Sequence, residues 1–416
     1  MRIRSFTLAL AAAGILSLGL ASTGLALHDG GVARCEACHT MHNSHNGAIH
    51  DADLIAQFTT GPMLLKGSDA SSACLNCHAS TTLSSYRVLT TGLSPEGIPA
   101  QRTPGGDFAF LLVGTSAERK SMRGHNVIAL DSGLAADTRD GMATGPGGDY
   151  PNADLGCHSC HDPHGKYRVD ADGNVSTTGL PISKYGSYGE GNSAYAPTGT
   201  AAVGAYRILA GTGYLPKSLE DTPGLAFVNQ VPMALTKSTY NVANTDTKVA
   251  YGSGMSEWCA NCHGQIYNDN YPTHLRHPSG DAAKLPSAIV ANYNAYVKSG
   301  DMTGTFDTAY WTLVPFEKGL GFADRDTLAG FLTTDETKGA AATDNVMCLS
   351  CHRVHASAFD HMLRWDDSKN LVASGGAYPE SGGLTVEQIQ AGYYGKPATD
   401  FATYQRSLCN KCHAKD

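Results

Sequence analysis

Six short stretches of the chain share one arrangement: two cysteines separated by two residues, with a histidine directly after the second. They are CEACH from Cys35 and Cys38 to His39, CLNCH from Cys74 and Cys77 to His78, and CHSCH from Cys157 and Cys160 to His161. The other three are CANCH from Cys259 and Cys262 to His263, CLSCH from Cys348 and Cys351 to His352, and CNKCH from Cys409 and Cys412 to His413. Two thiols at this spacing can add to the two vinyl groups of one porphyrin, and the adjacent imidazole can then swing under the ring to iron. C-x-x-C pairs also serve zinc and dithiol redox chemistry. Those uses require no histidine at the next position. With 17 histidines in 416 residues, one falls there by chance about 4% of the time, so six in six argues for haem. The six motifs use all 12 cysteines, leaving none for a disulfide. The reading is six covalently bound haem c groups, with the six motif histidines as proximal iron ligands.

Each iron takes a second axial ligand. Eleven histidines remain, enough for six distal positions. Three of them recur at one offset: His42 follows His39 by three, His164 follows His161, and His355 follows His352. A histidine so close cannot reach the far side of its own haem, because the ring plane lies between. It can point away and ligate a neighbouring haem. His125, in MRGHN, and His277, in LRHPSG, are candidates that local context leaves between ligand and surface residue. His28 is left open in the same way. His158 lies inside a motif and is expected to point outward from the attachment loop. His45, His50, His274 and His361 have no supporting context and are read as non-ligands. Met41 and Met63 lie near haem motifs, but the histidine supply makes methionine ligation unnecessary.

The elements that must position these groups are sparse. The chain opens MRIRSFTLALAAAGILSLGLASTGLA, a basic start, an apolar run and small residues at a cleavage site. Residues 1–26 are therefore expected to be a secretory signal, and residues 27–416 a single hexahaem domain. No later segment approaches a transmembrane length. Gly 47 and Pro 18 make up about 16% of the chain, against a usual ~12%. Stretches such as GNSAYAPTGTAAVGAYRILAGTGYLPKS carry neither helical nor strand periodicity. The expected fold is mostly irregular coil with few short α-helices, wrapped around a continuous stack of six haems. Helices are expected at 287–298, from a capping box at Thr385-Val386-Glu387-Gln388, and from about Asp400 to Lys411. Net charge is −8, or −10 once Arg2 and Arg4 leave with the signal. That balance, with no basic patch, argues against nucleic-acid binding.

The chain resembles the six-haem outer-surface cytochromes of the OmcS type, which polymerise into conducting filaments. The likeness is carried by GGVARCEACHTMHNS, QFTTGPMLL, CHSCHDPHGKYR, GAYRILAGTGY, YGSGMSEWCANCH, LRHPSG, CLSCHRVHAS and YQRSLCNKCHAKD, and it spans essentially the whole mature chain. It implies bis-histidine ligation throughout, with His28, His42, His125, His164, His277 and His355 as distal ligands. It also implies that His42 reaches the fifth haem, at Cys348 and Cys351, in the adjacent subunit of a homopolymer. The expected function is electron transport along a haem chain, secreted to the outer cell surface or an extracellular filament, with redox partners and extracellular electron acceptors. The rival is a multihaem reductase. That would need a haem with an open distal site, often marked by lysine in place of the motif histidine, yet all six motifs end in histidine. The expectation is therefore of no enzyme.

Overall fold

The computed structural model describes residues 35–39, 44–45, 48–49, 64–80, 87–90, 104–114, 116–182, 197–236, 249–268, 277–295, 314–332, 339–401 and 403–413. The expected signal at 1–26 lies outside them, as do His28, His42, His50 and His274. Among the described residues no helix is long and apolar enough to cross a membrane.

Regular structure is short and scattered, as the glycine and proline content leads one to expect. The helices are α1 (Cys35–Cys38), α2 (Ala70–His78), α3 (Ala117–Ser121), α4 (Met255–Tyr267), α5 (Ser287–Ala295), α6 (Arg325–Ala329), α7 (Cys348–Cys351), α8 (Val386–Gly392) and α9 (Cys409–Cys412). The strands form small antiparallel sheets. β1 (Ser44–His45) pairs β2 (Ala48–Ile49), and β3 (Arg168–Val169) sits between β4 (Val175–Ser176) and β5 (Val203–Gly204). β6 (Met233–Leu235) pairs β7 (Ala250–Ser253) with Leu235 opposite Ala250. β8 (Leu371–Ala373) pairs β9 (Gln405–Arg406).

Local chemistry accounts for the helices that do form. Asp69 caps α2 by accepting the Ser72 N–H at 2.8 Å, which satisfies one of the orphan donors of the first turn. Thr385 and Gln388 close the expected capping box at α8. α5 covers the expected segment as far as Ala295 and buries Tyr293. The helix expected from Asp400 to Lys411 does not form. Tyr404 takes a left-handed backbone, φ 59°, and Gln405–Arg406 are drawn into pairing with β8. Only one helical turn, α9, survives at the motif itself.

With so little ladder to satisfy the backbone, buried arginines take over part of that task. Arg123, Arg353 and Arg364 are each 0–1% exposed. Arg123 donates to the carbonyls of Val113 and Gly382, both at 2.9 Å. Arg353 donates to Gly392 O at 3.1 Å and lies 3.9 Å over the Tyr394 ring. Arg364 donates to Leu349 O at 2.7 Å. A buried guanidinium has donors enough to replace ladder bonds between distant loops.

One crossing fixes much of the rest. The segment around Ala356 runs between Gly106 and Gly124, bridging both. A Cβ on Gly106, whose φ is +89°, would fall 1.8 Å from Ala356 O, and one on Gly124 would meet His355 O at 2.6 Å. His355 N–H donates to Gly105 O at 2.7 Å, and His125 N–H donates to His355 O at 3.0 Å. Two histidines far apart in sequence are thereby set on one short stretch of paired backbone. Gly106→Ala is expected to destabilise the protein by about 3 kcal/mol or more, seen as a lower denaturant midpoint. A midpoint equal to the parent's would show that the crossing relaxes freely.

Candidate haem centres

Each motif sits on a helical turn: α1, α2, α4, α7, α9, or for the third motif a 3₁₀ turn at Cys157–Ser159. Residues three apart on a helix share a face, so both thiols of each motif are presented together. The histidine must then leave the helix to turn under the ring. His352 and His413 have extended backbones, at φ −104° and −98°. His263 breaks α4 with φ −120°, ψ 38°. The cysteines whose side chains are described form no disulfide. The Cys74 side chain lies beside that of Cys157, and that of Cys259 beside Cys348. The second and third attachment sites therefore abut, as do the fourth and fifth.

Three motif histidines face a histidine from elsewhere in the chain. His263 faces His125 with ring centres 6.0 Å apart. His161 faces His355 at 6.3 Å, and His413 faces His277 at 6.2 Å. An imidazole nitrogen binds a first-row metal at about 2.0 Å with its ring centre about 1.2 Å further back, so two trans imidazoles on one ion stand about 6.4 Å apart. The three pairs fit a six-coordinate iron between them.

Five of the motif and facing histidines have the other ring nitrogen held by a backbone carbonyl, whereas His355 Nδ1 is buried without a partner. His161 Nδ1 bonds Arg207 O at 2.8 Å, His263 Nδ1 bonds Pro146 O at 2.7 Å, and His352 Nδ1 bonds His361 O at 2.9 Å. Among the facing histidines, His125 Nδ1 bonds Val354 O at 2.6 Å and His277 Nδ1 bonds Pro278 O at 3.0 Å. A carbonyl accepts, so each Nδ1 carries the proton and Nε2 is left for metal. Burial lowers His263 and His352 and pushes His125 down to about 4. Burial, with His161 next, pushes His355 down to about 3. These rings are neutral at physiological pH, the form that ligates.

Two of these carbonyls, those of Arg207 and His361, come from a device that repeats. After the first, third and fifth motifs, the chain returns through left-handed residues followed by a leucine. Leu64 has φ 59°; Arg207 and Ile208 both have φ 51°; His361 and Met362 have φ 57° and 61°. Leu65, Leu209 and Leu363 then bridge to His39, His161 and His352. The next N–H, of Lys66, Ala210 or Arg364, donates to the carbonyl of the motif's second cysteine at 2.8, 3.0 or 2.9 Å. Left-handed backbone costs a non-glycine residue about 1–3 kcal/mol, most plainly β-branched Ile208. These are the same three motifs that carry C-x-x-C-H-x-x-H. The sequence reading missed the straps. The signal was a leucine two residues after Arg207 and His361, and side chains that would prefer other backbone gave no hint of the turn.

The remaining candidates are placed as follows. His164 is exposed, and its N–H donates to Asp162 Oδ1 at 3.0 Å. Among the described residues no histidine ring lies opposite His352. His158 does not point outward as expected. Its ring folds back over Gly156, where an added Cβ would meet it at 2.7 Å, and its Nδ1 is buried without a partner. His361 offers its carbonyl, a contribution the sequence did not signal.

No family model matches the chain. It is 51% identical to the C-type cytochrome OmcS of Geobacter sulfurreducens over 437 aligned residues, 99% of this chain and 98% of that one. Its structure is similar to the cryo-EM structure of the OmcS nanowires from Geobacter sulfurreducens, with a TM-score of 0.80 and 50% identity. A second structure, of the Outer Membrane Cytochrome S filament from the same organism, gives 0.77 and 48%. Each covers 94% of this chain and the whole of the solved one.

The straps are open to test by backbone chemistry. Proline holds φ near −65°, so Arg207→Pro or His361→Pro should turn the carbonyl away from Nδ1. Each is expected to alter one haem's resonance Raman ligation bands and midpoint potential, while Arg207→Gly and His361→Gly leave both unchanged. Identical spectra for the proline and glycine variants would remove the strap from the ligand geometry.

Proposed function

The chain belongs to the OmcS family of multihaem c-type cytochromes, and from that membership we propose that it carries electrons through six covalent haem c groups in an extracellular homopolymeric filament. Residues 27–416 are the exported hexahaem unit in this reading, with 1–26 as its signal. The observation that carries it is the opposition of His263 to His125, His161 to His355 and His413 to His277, each at the spacing of two imidazoles on one metal.

Haem c, when bound, supplies a one-electron couple, and two imidazole ligands keep its potential low. The chain's own residues do the rest. The paired cysteines fix each ring covalently. The backbone carbonyls of Arg207, Pro146, His361, Val354 and Pro278 hold Nδ1 of their histidines. That sets ring orientation and makes each imidazole a stronger donor, which favours the oxidised state of a metal it ligates. The closeness of Cys74 to Cys157, and of Cys259 to Cys348, would hold successive haems near one another.

Three distal ligands come from His125, His355 and His277. His42 of one subunit serves the haem of His352 in the next. This is supported by the lack of a histidine ring opposite His352 among the described residues and by its Nδ1 being tied to His361 O, which turns its free edge away from that strap. His28 and His164 then remain for the haems of His39 and His78. With both axial positions filled at every haem, none is open to a substrate. The chain is a conductor and not an enzyme, delivering electrons to redox partners and acceptors outside the cell.

Spin state tests the ligand set. His164→Ala, His277→Ala and His355→Ala should each keep six covalent haems by mass and show one high-spin haem per chain by electron paramagnetic resonance. The double variant His161→Ala/His355→Ala should perturb one haem, and His352→Ala/His355→Ala two. The reverse count would reassign His355. For the subunit contact, His42→Ala should show one high-spin haem and no long filaments in the electron microscope. Normal filaments with every haem low-spin would sink the trans ligand, and a high-spin haem in parent filaments would reopen the enzyme reading.

A further inference from the structure

Between the fourth and fifth attachment sites lies a group of acids that haem ligation does not use. Glu257 is in the first turn of α4, Asp281 follows α4 on a turn, and Glu317 is a bridge residue paired with Asn345. One oxygen from each lies within 4.8 Å of the others. Each carboxylate spends one oxygen on the protein. Glu257 Oε1 accepts from Tyr267 Oη at 2.6 Å and Asp281 N–H at 2.8 Å. Asp281 Oδ1 accepts from Gly254 N–H at 2.9 Å, and Glu317 Oε1 from Met255 N–H at 2.8 Å.

The second oxygens are what need explaining. Glu317 is 0% exposed, and its Oε2 is buried with no donor; Glu257 Oε2 is in the same state. Asn345, also 0% exposed, donates Nδ2 to Asp281 O at 3.0 Å, yet its Oδ1 has no donor either. Buried acceptors without donors are costly, and adjacent buried carboxylates more so. Two lysines are near in sequence, but Lys284 Nζ donates to Thr343 O at 2.8 Å and Lys318 pairs with Asp344 at 3.1 Å. Burial, with Asp281 and Glu257 adding repulsion, pushes Glu317 up to about 8. In the bare protein this site holds a proton where a cation would serve better.

We propose that Glu257, Asp281 and Glu317 form a binding site for one Ca²⁺ ion, with Asn345 Oδ1 as an additional oxygen donor. All the donors are oxygen, which selects a hard cation over zinc or copper. Oxygens about 2.4 Å from one Ca²⁺ can lie as far as about 4.8 Å apart, whereas Mg²⁺ demands about 2.1 Å and near-ideal octahedral geometry. Irregular carboxylates from three separate segments suit the larger ion. The ion would clamp α4, which carries Cys259 and Cys262, to the segment that leads through Asn345 into Cys348. It would thereby hold two abutting attachment sites at fixed separation. This inference does not depend on the ligand assignments above.

The test uses the purified, haem-loaded, full-length protein, dialysed against EGTA and then equilibrated with micromolar ⁴⁵Ca²⁺. The parent should retain one Ca²⁺ per chain, counted against protein and not iron. Glu317→Gln and Asp281→Asn should each weaken retention at least tenfold. Because Asp281 is exposed, its variant should fold even where the Glu317 variant does not. Calcium should raise the parent's melting temperature and leave that of Asp281→Asn unmoved. No retained calcium and no thermal shift in the parent would overturn the site in favour of a protonated carboxyl pair. Equal retention of Mg²⁺ at the same free concentration would overturn the choice of ion.

Discussion

An imidazole has two nitrogens, and a metal ligand can offer only one of them. Whatever holds the other decides which way the first points. Here the holder is a backbone carbonyl at His125, His161, His263, His277 and His352. A carbonyl has no rotamers, so its aim is set by the fold of the chain around it. That constraint explains why backbone strain collects at Arg207, Ile208, His361 and Met362. The straps spend conformational energy to deliver a carbonyl to a fixed place.

The same constraint explains how a chain with so little regular structure holds a precise set of sites. Ordering each residue of coil costs about 1–2 kcal/mol of backbone entropy, and short sheets return few hydrogen bonds. Stabilisation comes instead from long-range closure. Arg123 ties carbonyls of residues far apart in sequence, Arg353 fastens the end of the fifth motif to Gly392, and Arg364 reaches back to Leu349 within that motif. Apolar side chains from coil, among them Ala210, Met347, Phe359 and Trp365, are 0–2% exposed within one cluster. Covalent attachment at twelve cysteines would add further closure, with large apolar rings to bury.

The repeat of straps after the first, third and fifth motifs gives the chain a two-motif unit. In each unit the first motif carries the extra histidine and the left-handed return, and the second sits on a helix or a single turn without one. The third motif's histidine faces one from the fifth, and the fourth's faces one from the segment that crosses the fifth. The units are therefore cross-linked and not merely strung in order.

Much of this was legible in the residues. The cysteine and histidine spacing fixes how many rings can be attached and where, because thioether chemistry depends on local geometry that one helical turn provides. Composition announced the coil, and Thr385 with Gln388 announced α8. The helix from Asp400 was misread because its pattern said nothing of the strand that would claim Gln405 and Arg406. Which histidine faces which motif was beyond the sequence. His125 meets His263, and His355 meets His161, only because Gly106 and Gly124 let the backbone near Ala356 pass within contact distance. The straps and the acid cluster have the same origin. Each is assembled by backbone segments that approach from far along the chain, and side-chain identity at one position carries no record of what the fold will bring beside it.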